Sequence, residues 1–177
     1  MKTIQLLINN DRGFTLIEMI VVMGIMSFLG GMMAMTTFTI MNNTPQTNNQ
    51  IITLRQVQAA GLSISRDVQT AQEIDTAPTG AGEFLKLTLA VVGSANVTIT
   101  YRFEDMDNGM KKLLRTGTSG EITMISEYVY YNPISDPTNS TKIISYLNHD
   151  LSFQVAAIMG TTTVMRKYNA TQRAPSP

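Results

Sequence analysis

The sequence contains no cysteine among its 177 residues. That excludes disulfides, thiolate metal sites and a cysteine nucleophile, while leaving the redox compartment open. There is one histidine, His149, and without thiols a single imidazole is a poor basis for a zinc site. Flanked by Asn148 and Asp150, it reads as an exposed turn residue. An excess of either charge is missing as well. Lys+Arg and Asp+Glu number 13 each, so no basic field marks a nucleic-acid partner. Residues 19–41 hold no charge at all. At about 1.5 Å per residue that run extends roughly 35 Å as a helix, enough to cross a hydrocarbon core of about 30 Å.

What is present stands out against these absences. Glu18 lies inside a run of apolar residues that otherwise looks like a membrane span. A charge at a bilayer centre costs about 2.5–3.5 kcal/mol on insertion scales, so it needs a partner. Lys2 and Arg12 precede the run and the next basic residue is Arg55. This asymmetry predicts a cytoplasmic amino terminus with the remainder outside. A secretory signal places its small-residue cleavage site after the apolar stretch. Here the small residue, Gly13, stands before it. A cut at Gly13 leaves the apolar helix on the mature chain and frees the amine of Phe14. With a pKa of about 7.7–8.0, that amine is mostly charged at neutral pH. A neighbouring copy, slid along the helix axis, brings its amine to Glu18, and in low dielectric the pairing is strongly attractive. A plain membrane anchor, or a conventional signal cut near Ala34, are the alternatives from residues alone.

The stretch "RGFTLIEMIVV" resembles the class III signal of type IV prepilins and type II secretion pseudopilins: a short polar leader, a glycine before the cut, a phenylalanine after it and a glutamate four residues on. The resemblance implies cleavage between Gly13 and Phe14 by a prepilin peptidase, N-methylation of Phe14, and an assembly role for Glu18. Many family members carry a mid-helix proline where this chain has Met35, and the Gly30–Gly31 pair is the expected weak point instead.

Downstream, "NNTPQTNN" at residues 42–49 reads as a kink or gap, because proline sits poorly inside a helix. A helical pattern resumes from about Thr47 to Ile74, with Ile51, Leu54, Val57, Gly61, Ile64, Val68 and Ala71 on one stripe. Arg66 and Asp67 read as solvated charges. Residues 75–83 form a loop whose glycines lack the lysine and hydroxyl of a phosphate-binding loop. The rest alternates as strands: 85–91, 97–103, 111–116, 121–131, 143–147, 151–157 and a last segment at 161–168. Turns are expected at 92–96, at the Asn-Gly of 104–109 and at 148–150. Asp105 and Asp107 are weak calcium candidates, because oxygen ligands cluster there but without the spacing of an EF-hand.

The expected fold is α+β: a long amino-terminal helix, transmembrane then amphipathic, packed on an antiparallel β-sheet in a pilin-like arrangement. The expected divisions are a cleaved leader at 1–13, a transmembrane and assembly helix at 14–41, a linker and the amphipathic half-helix at 42–74, a β domain at 75–168 and a flexible tail at 169–177. The order "VTITYRF…NGMKKLLR…SEYVYY…LSFQVAAI…TTTVMRKYN" is similar to the J-type minor pseudopilins and W-type minor pilins, although the usual closing Arg-Asn is replaced by Arg166, Lys167 and Tyr168. The resemblance implies a structural subunit of a secretion pseudopilus, at or near the filament tip. The alternative is a minor type IV pilin serving adhesion, motility or DNA uptake. The implied partners are the peptidase, other pilins or pseudopilins through helix packing, and an inner-membrane assembly platform. The implied location is the inner membrane, single-pass, with the carboxy-terminal domain periplasmic. No catalytic triad, metal cluster or activated nucleophile is evident. A non-enzyme without a cofactor is therefore expected.

Overall fold

A computed structural model describes residues 13–90, 95–107 and 109–173. The leader before Gly13, most of the turn expected at 92–96, Asn108 and the end of the expected tail lie outside the described residues. The chain divides into two compact units, Met1–Pro45 and Gln46–Pro177. One α-helix, α1 (Leu16–Thr70), supplies residues to both.

In the first unit α1 is apolar on every side, and its large side chains from Phe14 to Met41 are exposed. The helix is long and apolar enough to cross a membrane, and its few hydroxyls are satisfied within the helix, as a hydrocarbon environment would demand. Ser27, Thr36, Thr37 and Thr39 each donate to the carbonyl four residues earlier, at 2.8–2.9 Å. The interruption expected at 42–49 does not occur, for Pro45 lies inside α1. A helix-interior proline costs about 3 kcal/mol, but each flanking residue that propagates the helix recovers a hydrogen bond. Thr44 adds a bond from its hydroxyl to the Ile40 carbonyl at 2.7 Å.

In the second unit eight strands form one antiparallel sheet: β1 (Glu73–Asp75), β2 (Glu83–Leu89), β3 (Val97–Asp105), β4 (Lys111–Thr116), β5 (Ile122–Val129), β6 (Lys142–Leu147), β7 (Asp150–Met159) and β8 (Thr162–Thr171). The order is β1-β2-β3-β4-β5-β7-β6, with β8 on the other edge of β7. Thr53, Val57, Ala60, Gly61, Ile64, Asp67 and Val68 form the buried stripe of α1. It packs on Leu85, Leu87, Ile99, Tyr101, Leu113, Phe153 and Val155. Each fully buried aliphatic side chain contributes about 1.5–3 kcal/mol, so this interface accounts for the α+β arrangement. The stripe is shifted from the expected one, for Ile51 is exposed and Thr53 takes the inward place.

Polar pins fix the helix on the sheet. Gln56 accepts the Glu127 amide on its side-chain oxygen at 2.8 Å and the Ser126 hydroxyl on its carbonyl at 3.1 Å. Asp67 is buried, not solvated as expected. It accepts from Tyr101 at 2.7 Å and from Arg115 Nε at 2.6 Å, partners 34 and 48 residues away that no local pattern reveals. Tyr101 spends its proton on Asp67, so the Ser63 hydroxyl, 3.0 Å away, is left to donate. Burial first, and the Asp67 charge as well, hold the phenol well above its ordinary range.

Two expected boundaries move. The helix ends at Thr70, and Ile74 belongs to β1 instead. The tail expected from residue 169 is strand through Thr171. Gln172 is then buried, donating its amide to the His149 carbonyl at 2.9 Å and its side-chain nitrogen to the Ala71 carbonyl at 3.2 Å. The bond to Ala71, with that from the Arg173 amide to the Gln69 carbonyl at 3.2 Å, satisfies carbonyls that the helix end leaves open. Asn148 and His149 have φ of 50° and 68°, the two-residue hairpin geometry in which both central residues are left-handed.

Candidate functional site

The site lies where α1 begins. Thr15 precedes the first helical residue and Glu18 lies in the first turn, the spacing of a capping box. The Thr15 amide and hydroxyl both donate to Glu18 Oε2, at 2.8 and 2.9 Å. The Glu18 amide donates back to the Thr15 hydroxyl oxygen at 3.3 Å. The carboxylate also stands against the positive end of the helix dipole. These bonds answer in part what the sequence left open: Glu18 has intramolecular donors. The stretch "RGFTLIEMIVV" contains this signal as well, for T-x-x-E before an apolar run identifies Thr15 as the cap.

Among the described residues only Oε2 of Glu18 is engaged, and Oε1 takes no hydrogen bond. A single added cation at Oε1 therefore completes the group without disturbing the cap. The cap also survives a cut between Gly13 and Phe14, because the Thr15 amide belongs to the bond that follows Phe14.

Gly13 and Phe14 precede the helix, and Phe14 is 80% exposed. A Cβ placed on Gly13 meets nothing within 4 Å. Nothing in the fold asks for glycine there, so a requirement for it must come from a molecule that reads this segment. Gly30 and Gly31 are equally unconstrained and remain helical.

The other candidates stay apart from this site. Asp105 ends β3 and its carboxylate takes the Lys111 ammonium across the β3–β4 hairpin. Asp107 is in the turn, and among the described residues no three acids or histidines gather as for a metal. His149 sits in the β6–β7 turn with Nδ1 3.0 Å from Gln172 Oε1. A cleft of about 360 Å3 has Phe84, Tyr131 and Lys142 in its wall. Both of its charged side chains bond to backbone: Lys142 Nζ donates to Pro137 O at 2.6 Å, and Glu83 Oε2 accepts from the Gly80 amide at 3.1 Å.

Comparison with known families matches residues 8–34 to the prokaryotic N-terminal methylation motif. No curated protein and no solved structure gives a significant match. The matched segment contains Gly13, Phe14, Thr15 and Glu18 together. The chain therefore carries, ahead of an α+β domain of pilin-like arrangement, the class III signal of type IV pilin and pseudopilin precursors.

Proposed function

We propose that this protein is a minor pseudopilin of a type II secretion-like machine. It is made in the inner membrane with its amino terminus in the cytoplasm. A prepilin peptidase cuts between Gly13 and Phe14 and methylates the new amine. The subunit then joins a short filament through α1, at or near the tip.

The observation that carries this reading is a carboxylate with one oxygen held by Thr15, at the head of an exposed apolar helix, inside the segment that matches the N-terminal methylation motif. The methylated amine of a neighbouring subunit supplies the missing cation at Oε1. Pairing at that depth has one register, because an axial slip leaves the charge unpaired in hydrocarbon. The loose likeness to J-type subunits over the strand region supports the tip position. The chain acts as a substrate of the peptidase and performs no chemistry itself.

The test is Glu18→Leu in the host. The expected result is normal removal of the leader with loss of crosslinks to partner subunits. Undiminished crosslinking at the same sites refutes the pairing role.

A further inference from the structure

The three edge strands of the sheet, β1, β6 and β8, are built differently. β1 has three residues, and β6 has six with a register irregularity against β7. β8 has ten residues, contains no proline, and pairs with β7 in unbroken register from Asp150↔Thr171 to Met159↔Thr162. Among the described residues no strand lies on its other side. Edge strands are ordinarily shortened, bulged, covered, charged or interrupted by proline, because a long regular edge templates another strand; of these devices β8 carries the charges alone, in Arg166 and Lys167.

The ladder tells which groups on β8 point outward. Gln172 donates its amide to His149, which makes that pair a hydrogen-bonded one. Alternation along an antiparallel ladder then assigns Ala170, Tyr168, Arg166 and Val164 to bonds with β7. Ala156, opposite Met165, confirms the phase: its amide goes to Thr141 Oγ1 and its carbonyl to the Tyr130 amide, both away from β8. The free amides and carbonyls of β8 therefore belong to Thr163, Met165, Lys167, Asn169 and Thr171, all exposed residues. The charges on the strand are Arg166 and Lys167, with no acid among its ten residues. By alternation the two lie on opposite faces.

We infer that the outer edge of β8 is a docking site for an extended segment of another protein, one that carries two adjacent acidic residues and adds to the sheet as a ninth strand. Main-chain bonds supply the affinity, and the acids, one on each face, meet Arg166 and Lys167. A second copy of β8 is a poor occupant, since symmetric pairing about this dipeptide sets like charges opposite each other. The inference does not depend on how α1 assembles.

The test uses the full-length protein in detergent micelles. The probe is a synthetic peptide of about ten residues, alternating valine and threonine with an Asp-Glu pair at its centre, a length that matches the open edge. Amide hydrogen exchange should slow at Thr163, Met165, Lys167, Asn169 and Thr171. Met165→Pro removes one outward amide and leaves the β7 ladder intact. It should weaken binding roughly tenfold, the effect of one lost and unsatisfied hydrogen bond. The same test without altering the protein uses peptides N-methylated at alternate amides: one set should abolish binding and the other should not. A peptide with Lys-Lys at its centre should fail to bind. Unchanged exchange at the five amides, equal binding of the acidic and basic peptides, or indifference to which amides are methylated would each overturn the inference.

Discussion

The phenol of Tyr101 donates to Asp67 Oδ2 at 2.7 Å, and Arg115 Nε reaches the same oxygen at 2.6 Å. The bond joins the middle strands of the sheet to the helix at one position along its axis. Asp67 is 9% exposed, so its desolvation is offset only while both donors remain. Asp67→Ala removes the acceptor and strands a half-buried arginine and a buried phenol. The expected loss is about 2 kcal/mol, in the range for hydrogen bonds to charged groups. Tyr101→Phe should cost about 1 kcal/mol. Urea denaturation of the full-length protein in micelles measures both.

The same phenol makes stability depend on alkaline pH. Its folded pKa is raised by burial above an unfolded value of about 10. The contribution is therefore complete below about pH 10 and is lost as pH rises toward the folded value. Stability should fall as pH rises above about 10, and Tyr101→Phe should make that fall shallower. Some slope should persist, because burial raises Tyr146 and Tyr168 as well. An identical slope in Tyr101→Phe contradicts the assignment.

Gly61 makes room for an aromatic ring. A Cβ there would overlap Cζ of Tyr168. The ring stacks on Phe153 at 5.3 Å, and its hydroxyl donates to the Val57 carbonyl at 3.1 Å. Gly61→Ala gains helix propensity, worth about 1 kcal/mol, but must displace the ring at about 1–3 kcal/mol. Net destabilisation is expected, and Tyr168→Leu in the same chain should reverse part of it. A stabilised Gly61→Ala protein contradicts the packing described.

Gly13 is the opposite case. Among the described residues no atom lies within 4 Å of its added Cβ, so Gly13→Leu should leave thermal stability unchanged. Processing should stop, giving a protein of full precursor mass. Normal cleavage of Gly13→Leu argues that the peptidase does not read this position.

Thr15→Val keeps the shape of the side chain and removes the hydroxyl that bonds Glu18. Loss of a cap costs about 1 kcal/mol. The first turn should fray, seen as faster amide exchange at Glu18 and Met19 in micelles. Assembly should weaken less than in Glu18→Leu, since the carboxylate itself remains.

The sequence made the amino-terminal signal and most strands readable, because both depend on short-range order. Uncharged length marks a span, and period-two alternation marks Ile99, Tyr101 and Phe103 as one face. What escaped is nonlocal. Asp67 looks like any helix-surface acid until Tyr101 and Arg115 arrive from other strands. β1 is too short for alternation to register. Residues 169–173 are polar and follow the last apolar alternation, yet Gln172 is buried because it finishes the end of α1. Pro45 argued for a break, but the helix on both sides outweighed one missing amide. At the candidate site, the spacing of Gly13, Phe14 and Glu18 marks the segment that the methylation motif matches. Thr15 was passed over in favour of an intermolecular partner.

The central claim is that a short leader is removed after Gly13, so that a new amine can serve the Glu18 of a neighbour. Intact-mass and amino-terminal fragment analysis of the protein purified from its host tests it most directly. The account predicts a chain that begins with N-methylated Phe14 and retains the whole of α1. A mature chain that still begins at Met1, or one cut beyond the apolar run near Ala34, contradicts it.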